Sequence, residues 1–254
     1  MKEFINLAVE IRRVKIMLSL QTSIVGRKVI YLREVESTND LAKLLALHED
    51  EGTVIVADRQ TRGRGRIGRR WESPEGGVWM SVILRPPLVL EDLPKVVFMG
   101  AVAVVETLEK FGIPGKVKWP NDVLVEGRKI AGILAEGKAG TVVLGIGLNV
   151  NNPVPEGAIS MKDVLGSNVP LVDVFRTLIA RLDEAYSLLK ERPASIVEKA
   201  KSRMILGVPV IVVGEDIEGI AEDIDEFGRL IVRKPSGEVV KVVYGDLSIR
   251  FAQR

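Results

Sequence analysis

The chain has 254 residues, 46% of them hydrophobic, with a formal net charge of +2, a single histidine and no cysteine. Those counts exclude a disulfide framework, a Cys nucleophile, thiolate metal sites and multi-His metal sites, and argue against a Ser-His-Asp mechanism. Near-neutral charge argues against a general nucleic-acid binder. The sequence contains no membrane-spanning run and no signal-peptide pattern, so a cytoplasmic protein is expected.

Taken in chain order, residues 2–20 place Phe4, Ile5, Leu7, Ala8, Ile11, Val14 and Leu18 at the spacing of an amphipathic helix. Lys28–Val35 reads as a strand. Ser37-Thr38-Asn39-Asp40 is a helix N-cap cluster ahead of Leu41, Ala42, Leu44 and Leu45. The lone His48 falls near the end of that helix and reads as structural or exposed. Thr53–Ala57 and Gly77–Leu84 read as strands, Asp92–Phe111 as a helix and Lys116–Trp119 as a short strand. Asp122–Glu126 and Lys129–Glu136 form a hairpin turning at Gly127-Arg128, and Thr141–Val150 is a further strand. Leu171–Lys190 and Ala194–Ile205 read as helices. After Gly207 the character changes to five short strands, Val208–Val213, Gly219–Asp225, Arg229–Arg233, Val239–Val243 and Leu247–Phe251, which suggests a small barrel.

Residues 60–71, Gln-Thr-Arg-Gly-Arg-Gly-Arg-Ile-Gly-Arg-Arg-Trp, interleave arginine with glycine and contain no acidic residue. Glycine lets backbone N–H groups line an anion-binding concavity, and guanidinium forks suit phosphate or carboxylate. A small-anion loop, a nucleic-acid patch and a plain solvated surface all fit this stretch taken alone. Lys118-Trp119-Pro120-Asn121-Asp122 ends a strand in a turn. In Lys129-Ile130-Ala131-Gly132-Ile133-Leu134-Ala135-Glu136, alternation puts Lys129, Ala131 and Ile133 on one face, and Ile130, Gly132 and Leu134 on the other. Gly132 in mid-strand marks a close approach of backbone or ligand. Gly145-Ile146-Gly147-Leu148-Asn149-Val150 repeats that sign, with close sheet packing as the simpler cause.

Occurring in this order, these motifs make the chain similar to the biotin protein ligases, from about Gly26 to its C-terminus. The nearest likeness is to the short archaeal type without a DNA-binding domain. The resemblance implies an α/β (α+β) fold. In it a class II synthetase-like catalytic domain, a mixed sheet with flanking helices, is followed by an SH3-like β-barrel. The corresponding divisions are an N-terminal extension at 1–26, a biotin- and ATP-binding domain at 27–206 and the barrel at 207–254. Its implied activity is ATP-dependent activation of biotin as biotinyl-5′-AMP, then transfer to one lysine of a biotin carboxyl carrier protein. Homodimers are common in the family. No DNA or membrane partner is expected here, since a three-helix reading module does not fit in the 27 residues before Lys28.

Carried over by motif position, the resemblance implies that Ser37, Thr38 and Asn39 bond the biotin ureido ring and that Gln60 faces biotin. Gly63 belongs to the loop in which Arg64, Gly65 and Arg66 wrap the carboxylate and phosphate. Arg66 is the main catalytic arginine and Arg69 assists it. Trp71 packs against adenine or the biotin tail. Lys129 contacts the activated carboxyl oxygen and α-phosphate, and Gly132 and Leu134 line the biotin slot. Lys118 joins the ligand-binding set, and Asn121, Asp122 and Asn149 lie on the nucleotide and metal side. Asp122 orients or deprotonates the incoming lysine. Mg2+ bridges ATP oxygens, and no protein metal ligand is assigned. Lipoate or octanoate ligases and transferases share this fold and are the nearest alternative, and a biotin-responsive repressor is an alternative of another class. The Gly-Arg-Gly-Arg loop before Trp71, together with Ser37-Thr38-Asn39, favours biotin.

Overall fold

A computed structural model describes residues 20–89, 92–138, 140–243 and 248–251. Nearly all of the helix expected over 2–20 lies outside them.

Seven strands form one mixed sheet in the order β1-β2-β3-β7-β6-β5-β4. They are β1 (Val29–Val35), β2 (Val54–Gln60), β3 (Val78–Leu84), β4 (Lys116–Lys118), β5 (Asp122–Val125), β6 (Arg128–Lys138) and β7 (Thr141–Leu148). Only β1 and β2 pair in parallel; the other neighbours are antiparallel. Period-two alternation gives the sheet two different faces. One buries Val78, Met80, Val82 and Leu84 of β3 with Ala131, Ile133 and Ala135 of β6 and Leu144, Ile146 and Leu148 of β7. Against it packs helix α2 (Leu93–Lys110), and α4 (Leu171–Glu191) and α5 (Pro193–Lys201) pack in turn on α2. Helix α2 is buried along nearly its whole length, and a Cβ at Gly100 would stand 3.1 Å from Ile133 Cγ2. A side chain there would press on Ile133 and Leu144, so glycine eases the close approach of helix to sheet.

The other face is covered in part by α1 (Thr38–Leu45), over a small cluster of Ile30, Ala42, Ile55, Ile83 and Val143. Ser81 and Gly145 of this same face lie against Thr38 and Asn39 in the first turn of α1, and a cleft opens over Gly145, Gly147 and Gly132.

The C-terminal strands β8 (Val208–Val213), β9 (Ile217–Ile224), β10 (Leu230–Arg233), β11 (Val239–Val242) and β12 (Ser248–Phe251) form an antiparallel sheet in the order β11-β10-β9-β8-β12. Its inward residues, among them Val210, Val212, Leu230 and Val232, join the large apolar cluster of the seven-stranded sheet. The indole N–H of Trp119 donates to Gly228 O at 3.0 Å and ties the two sheets together.

Several boundaries differ from the sequence reading. The β5–β6 turn is Glu126-Gly127, not Gly127-Arg128: both have positive φ (51° and 74°), the signature of a two-residue hairpin turn matched to strand twist. Helix α5 stops at Lys201 rather than Ile205 because the chain then pairs with the sheet edge. Val117 N donates to Arg203 O at 2.8 Å, and Ile205 N to Val117 O at 2.9 Å. A short helix α3 (Met161–Leu165), absent from the sequence reading, opens on a Ser160–Asp163 capping box and ends at left-handed Gly166. The exposed His48 follows α1 in a turn.

Candidate functional site

The cleft holds about 270 Å³. Its floor is polar and buried. Ser37 caps α1 by accepting from Asp40 N, which turns Thr38 and Asn39 toward the sheet. Gln60 Oε1 accepts from Thr38 N at 2.8 Å and Thr38 Oγ1 at 3.0 Å, and Gln60 Nε2 donates to Ser73 Oγ at 2.8 Å. Strand β2 reaches Gln60, three residues past the expected strand end, and this extension delivers the side chain to the cleft. Ser81 Oγ lies 2.6 Å from Asn39 Oδ1 and 2.8 Å from Thr38 Oγ1. Ser37, Thr38, Asn39 and Ser81 are each under 5% exposed. Groups this deep require hydrogen-bond partners, and the network supplies them to one another.

Glycines shape the middle of the cleft. Gly132 and Gly147 are register partners on β6 and β7, and the Trp71 ring lies over both. A Cβ at Gly147 would stand 2.4 Å from Trp71 Nε1, and one at Gly132 3.0 Å from Trp71 Cζ3. Gly145 gives the same room to Asn39, whose Oδ1 would be 2.1 Å from an added Cβ. These glycines are therefore places of close side-chain approach. Trp79 meets the Trp71 ring edge-on, with centroids 6.4 Å apart.

The arginine stretch folds back as a small hairpin. Gly65 N donates to Arg69 O at 2.8 Å, and the tip, Ile67-Gly68, has left-handed φ of 55° and 66°. Arg66 reaches across the cleft, where its Nη1 donates to Asn121 Oδ1 at 3.0 Å. Asn121 Nδ2 donates to Ile133 O at 2.9 Å, and this bond fixes the amide with its oxygen toward Arg66. Arg64 holds its guanidinium between Asp40 and Glu136 at the edge of the cleft.

The far end of the cleft is cationic. Lys129 Nζ lies 2.6 Å from Asp122 Oδ1 and 5.0 Å from the Trp71 ring centre. Strict alternation puts Lys129 and Gly132 on opposite faces, but both face the cleft. A β-bulge causes this: Leu124 pairs with Lys129 and Val123 with Ala131, so Ile130 is the extra residue. Lys118 sits beside Arg69, Arg250, Lys129 and Asp122. Its ammonium is held below the usual lysine range by burial, then by the cations Lys129, Arg250 and Arg69, against the pull of Asp122.

Of the residues singled out from sequence, Ser37, Thr38, Asn39, Gln60, Arg64, Gly65, Arg66, Arg69, Trp71, Lys118, Asn121, Asp122, Lys129 and Gly132 line the cleft. Gly63, Leu134 and Asn149 do not. Gly63 lies on the outer side of the loop, its carbonyl accepting from Trp71 N at 2.9 Å. Leu134 shares the cleft face, opposite Gly145, without lining the cleft. Asn149 is buried and bonded to Ile159 O and Asn152 Nδ2. Gly145 and Gly147, read from sequence as close packing with no site role, and Ile249 and Arg250, which that reading passed over, also line the cleft, brought there by the register and the C-terminal strand. Among the described residues no group of three His, Cys, Asp or Glu side chains is placed to hold a metal ion. Nor is any helix among them long and apolar enough to cross a membrane.

Residues 31–151 match the Biotin/lipoate A/B protein ligase family, and residues 205–250 match the Biotin protein ligase C terminal domain. The bifunctional ligase/repressor BirA of Bacillus subtilis is 34% identical over 254 residues, covering 92% of this chain and 78% of that protein. The biotin–[acetyl-CoA-carboxylase] ligase of Mycobacterium tuberculosis is 32% identical over 260 residues, covering 90% of this chain and 93% of that protein. Among solved structures, the biotin protein ligase from Aquifex aeolicus in complex with biotin and ATP superposes with a TM-score of 0.82 at 33% identity. That likeness covers 89% of this chain and all of the other.

Proposed function

The chain belongs to the biotin protein ligase family, and from that membership and the cleft we propose that it joins biotin to a carrier-protein lysine through biotinyl-5′-AMP. One observation carries the reading: the cleft joins a buried polar floor, a flat aromatic wall made by the Trp71 ring seated over Gly132 and Gly147, and a cationic end in a single volume. A ligand that fits carries hydrogen-bonding groups at one end, a thin apolar body and an anion at the other. Biotin, with its ureido ring, thioether ring and valerate, has that form.

The floor residues Ser37, Thr38, Asn39 and Gln60 orient the ureido ring, and Trp71 packs on the apolar body. Adenylate formation brings a carboxylate against the α-phosphate, and two anions meet only where fixed positive charge offsets them. Arg66, held over the cleft by Asn121, and Lys129 supply that charge, with Arg69, Lys118 and Arg250 toward the polyphosphate. In the transfer step the carrier amine attacks the activated carbonyl and AMP leaves. Lys129 stabilises the oxygen on which charge grows, and Asp122 takes the amine proton. Magnesium would be held chiefly through phosphate oxygens. Residues 207–254 act as a support that places Ile249 and Arg250 at the cationic end. The acceptor is a biotin carboxyl carrier protein, and the working form is a homodimer.

The test is incubation with labelled ATP and either biotin or lipoate, followed by separation of the acyl-adenylates. Biotinyl-AMP formed in preference to lipoyl-AMP supports the reading; the reverse preference overturns it.

A further inference from the structure

Glu136 lies outside the cleft, yet its carboxylate meets groups from two separate walls. Oε2 accepts from Asn39 Nδ2 at 3.0 Å on the floor. Oε1 lies 3.0 Å from Arg64 Nη2 on the arginine loop and 2.7 Å from Lys43 Nζ on α1. Asp40, the residue after Asn39, binds the other arm of Arg64. Although burial pushes the Asp40 carboxyl up, the Arg64 hydrogen bond and charge, with Lys43, hold it below the ordinary carboxylate range.

We propose that Glu136 is a positioning residue that couples closure of the arginine loop to the polarity of the cleft floor. An ionised carboxylate only accepts, so it selects Nδ2 of the Asn39 amide and turns Oδ1 toward Ser81. Two acceptors face the Ser81 hydroxyl, Asn39 Oδ1 at 2.6 Å and Thr38 Oγ1 at 2.8 Å, and the nearer is the one that the carboxylate orients. The orientation of the Asn39 amide, and hence that part of the pattern a ligand meets, runs back to this one carboxylate. The same carboxylate pins Arg64, which is two residues before Arg66 in the hairpin. Loss of the charge at residue 136 therefore leaves Arg64 with Asp40 alone, which loosens the loop, and frees the Asn39 amide to turn over. Side chains of the network are a quarter to half exposed. Ion pairs in that setting are individually weak, which suits a loop that must open for ligand and close again.

The inference rests on the proposed biotin reading for its ligand and not for the loop. Glu136→Gln keeps the shape, removes the charge and offers an amide that can donate. Tryptic cleavage between Arg66 and Arg70 in the ligand-free full-length protein should become about three- to tenfold faster, with the melting temperature little changed. Biotin affinity by calorimetry should weaken about tenfold. Arg64→Leu should speed cleavage to a similar degree but weaken biotin less, because the floor arm survives. Cleavage at the wild-type rate in Glu136→Gln overturns the latch. Unchanged biotin affinity beside faster cleavage overturns the coupling. A wild-type protein that fails to bind biotin counts against the biotin reading instead, and leaves the cleavage comparison standing as a test of the latch.

Discussion

Gly132 and Gly147 face each other across β6 and β7, and the Trp71 ring rests on the bare backbone between them. The pair acts as a seat for one aromatic ring. Gly147→Ala puts a methyl 2.4 Å from Trp71 Nε1, and backbone lies beneath it, so the ring must lift. Overpacking of this kind costs about 1–3 kcal/mol. The expected outcome is a lower melting temperature, greater acrylamide quenching of tryptophan fluorescence and a marked loss of biotin affinity. Unchanged quenching would show that the ring is not seated there in solution.

Arg66→Ala should slow adenylate formation by at least about a hundredfold, the usual loss when one positioned donor to a developing anion is removed. Asn121→Ala should reproduce part of this. It leaves the guanidinium in place and removes the oxygen that holds Arg66 across the cleft, at 3.0 Å. Rapid-quench measurement of biotinyl-AMP separates the two, and a normal rate in Arg66→Ala sinks the assignment.

Nucleotide binding should take up protons at alkaline pH. Lys118 is held below the ordinary lysine value of 10.5, first by burial and then by neighbouring cations. An incoming polyphosphate opposes the second cause and raises the pKa again. Between the lowered and restored values the bound state therefore holds more protons than the free state. Calorimetry in buffers of different ionisation heat reads the uptake directly. Lys118→Arg, which stays charged throughout, should remove it. Equal uptake in wild type and Lys118→Arg would assign the proton to another group.

Trp119→Phe should cost about 1–3 kcal/mol, since it leaves Gly228 O without its buried 3.0 Å donor. Ile249 and Arg250 approach the cleft from the C-terminal sheet that this bond secures. Weaker ATP affinity with biotin affinity nearly intact is the expected pattern. Equal losses of both ligands would argue that the bond supports the whole fold and not the nucleotide end. This is a cleaner probe than truncation at Leu206, because the C-terminal sheet shares its apolar cluster with the rest of the chain, and deletion would uncover it.

How far the sequence discloses this site depends on what kind of contact made it. The N-cap cluster at Ser37–Asp40, the glycine-arginine loop and the hairpin strands are local, and local chemistry is written in short motifs. Cross-strand register is not. Ser81 lies behind the floor residues Thr38 and Asn39 and pairs with Gly145, and Gly147 reaches the cleft beside its partner Gly132; neither pairing has a signal within a few residues of sequence. The bulge at Ile130 is likewise invisible to alternation, which is why Lys129 and Gly132 read as back to back when they stand side by side. Glu136 and Arg250 depend on elements far away in the chain. The short helix α3 did carry its signal, in the Ser160–Asp163 capping box and Gly166.

Lys129 is expected to act in both half-reactions. Its ammonium is now paired with Asp122 at 2.6 Å and poised over the Trp71 ring. A bound carboxylate or α-phosphate competes with Asp122 for that charge, so the ion pair has to be exchanged when ligand arrives. The exchange frees Asp122 to meet the carrier amine at the moment Lys129 turns to the carbonyl oxygen. Lys129→Ala should then depress adenylate formation, where charge is needed beside the phosphate, and also transfer, where charge grows on the oxygen. Lys129→Arg keeps the charge but not the compact ammonium, and should restore only part of each rate. Asp122→Asn should spare the first step relative to the second. Single-turnover transfer from pre-formed biotinyl-AMP is the deciding measurement. Wild-type transfer by Lys129→Ala would confine the residue to the first step and end this account of it.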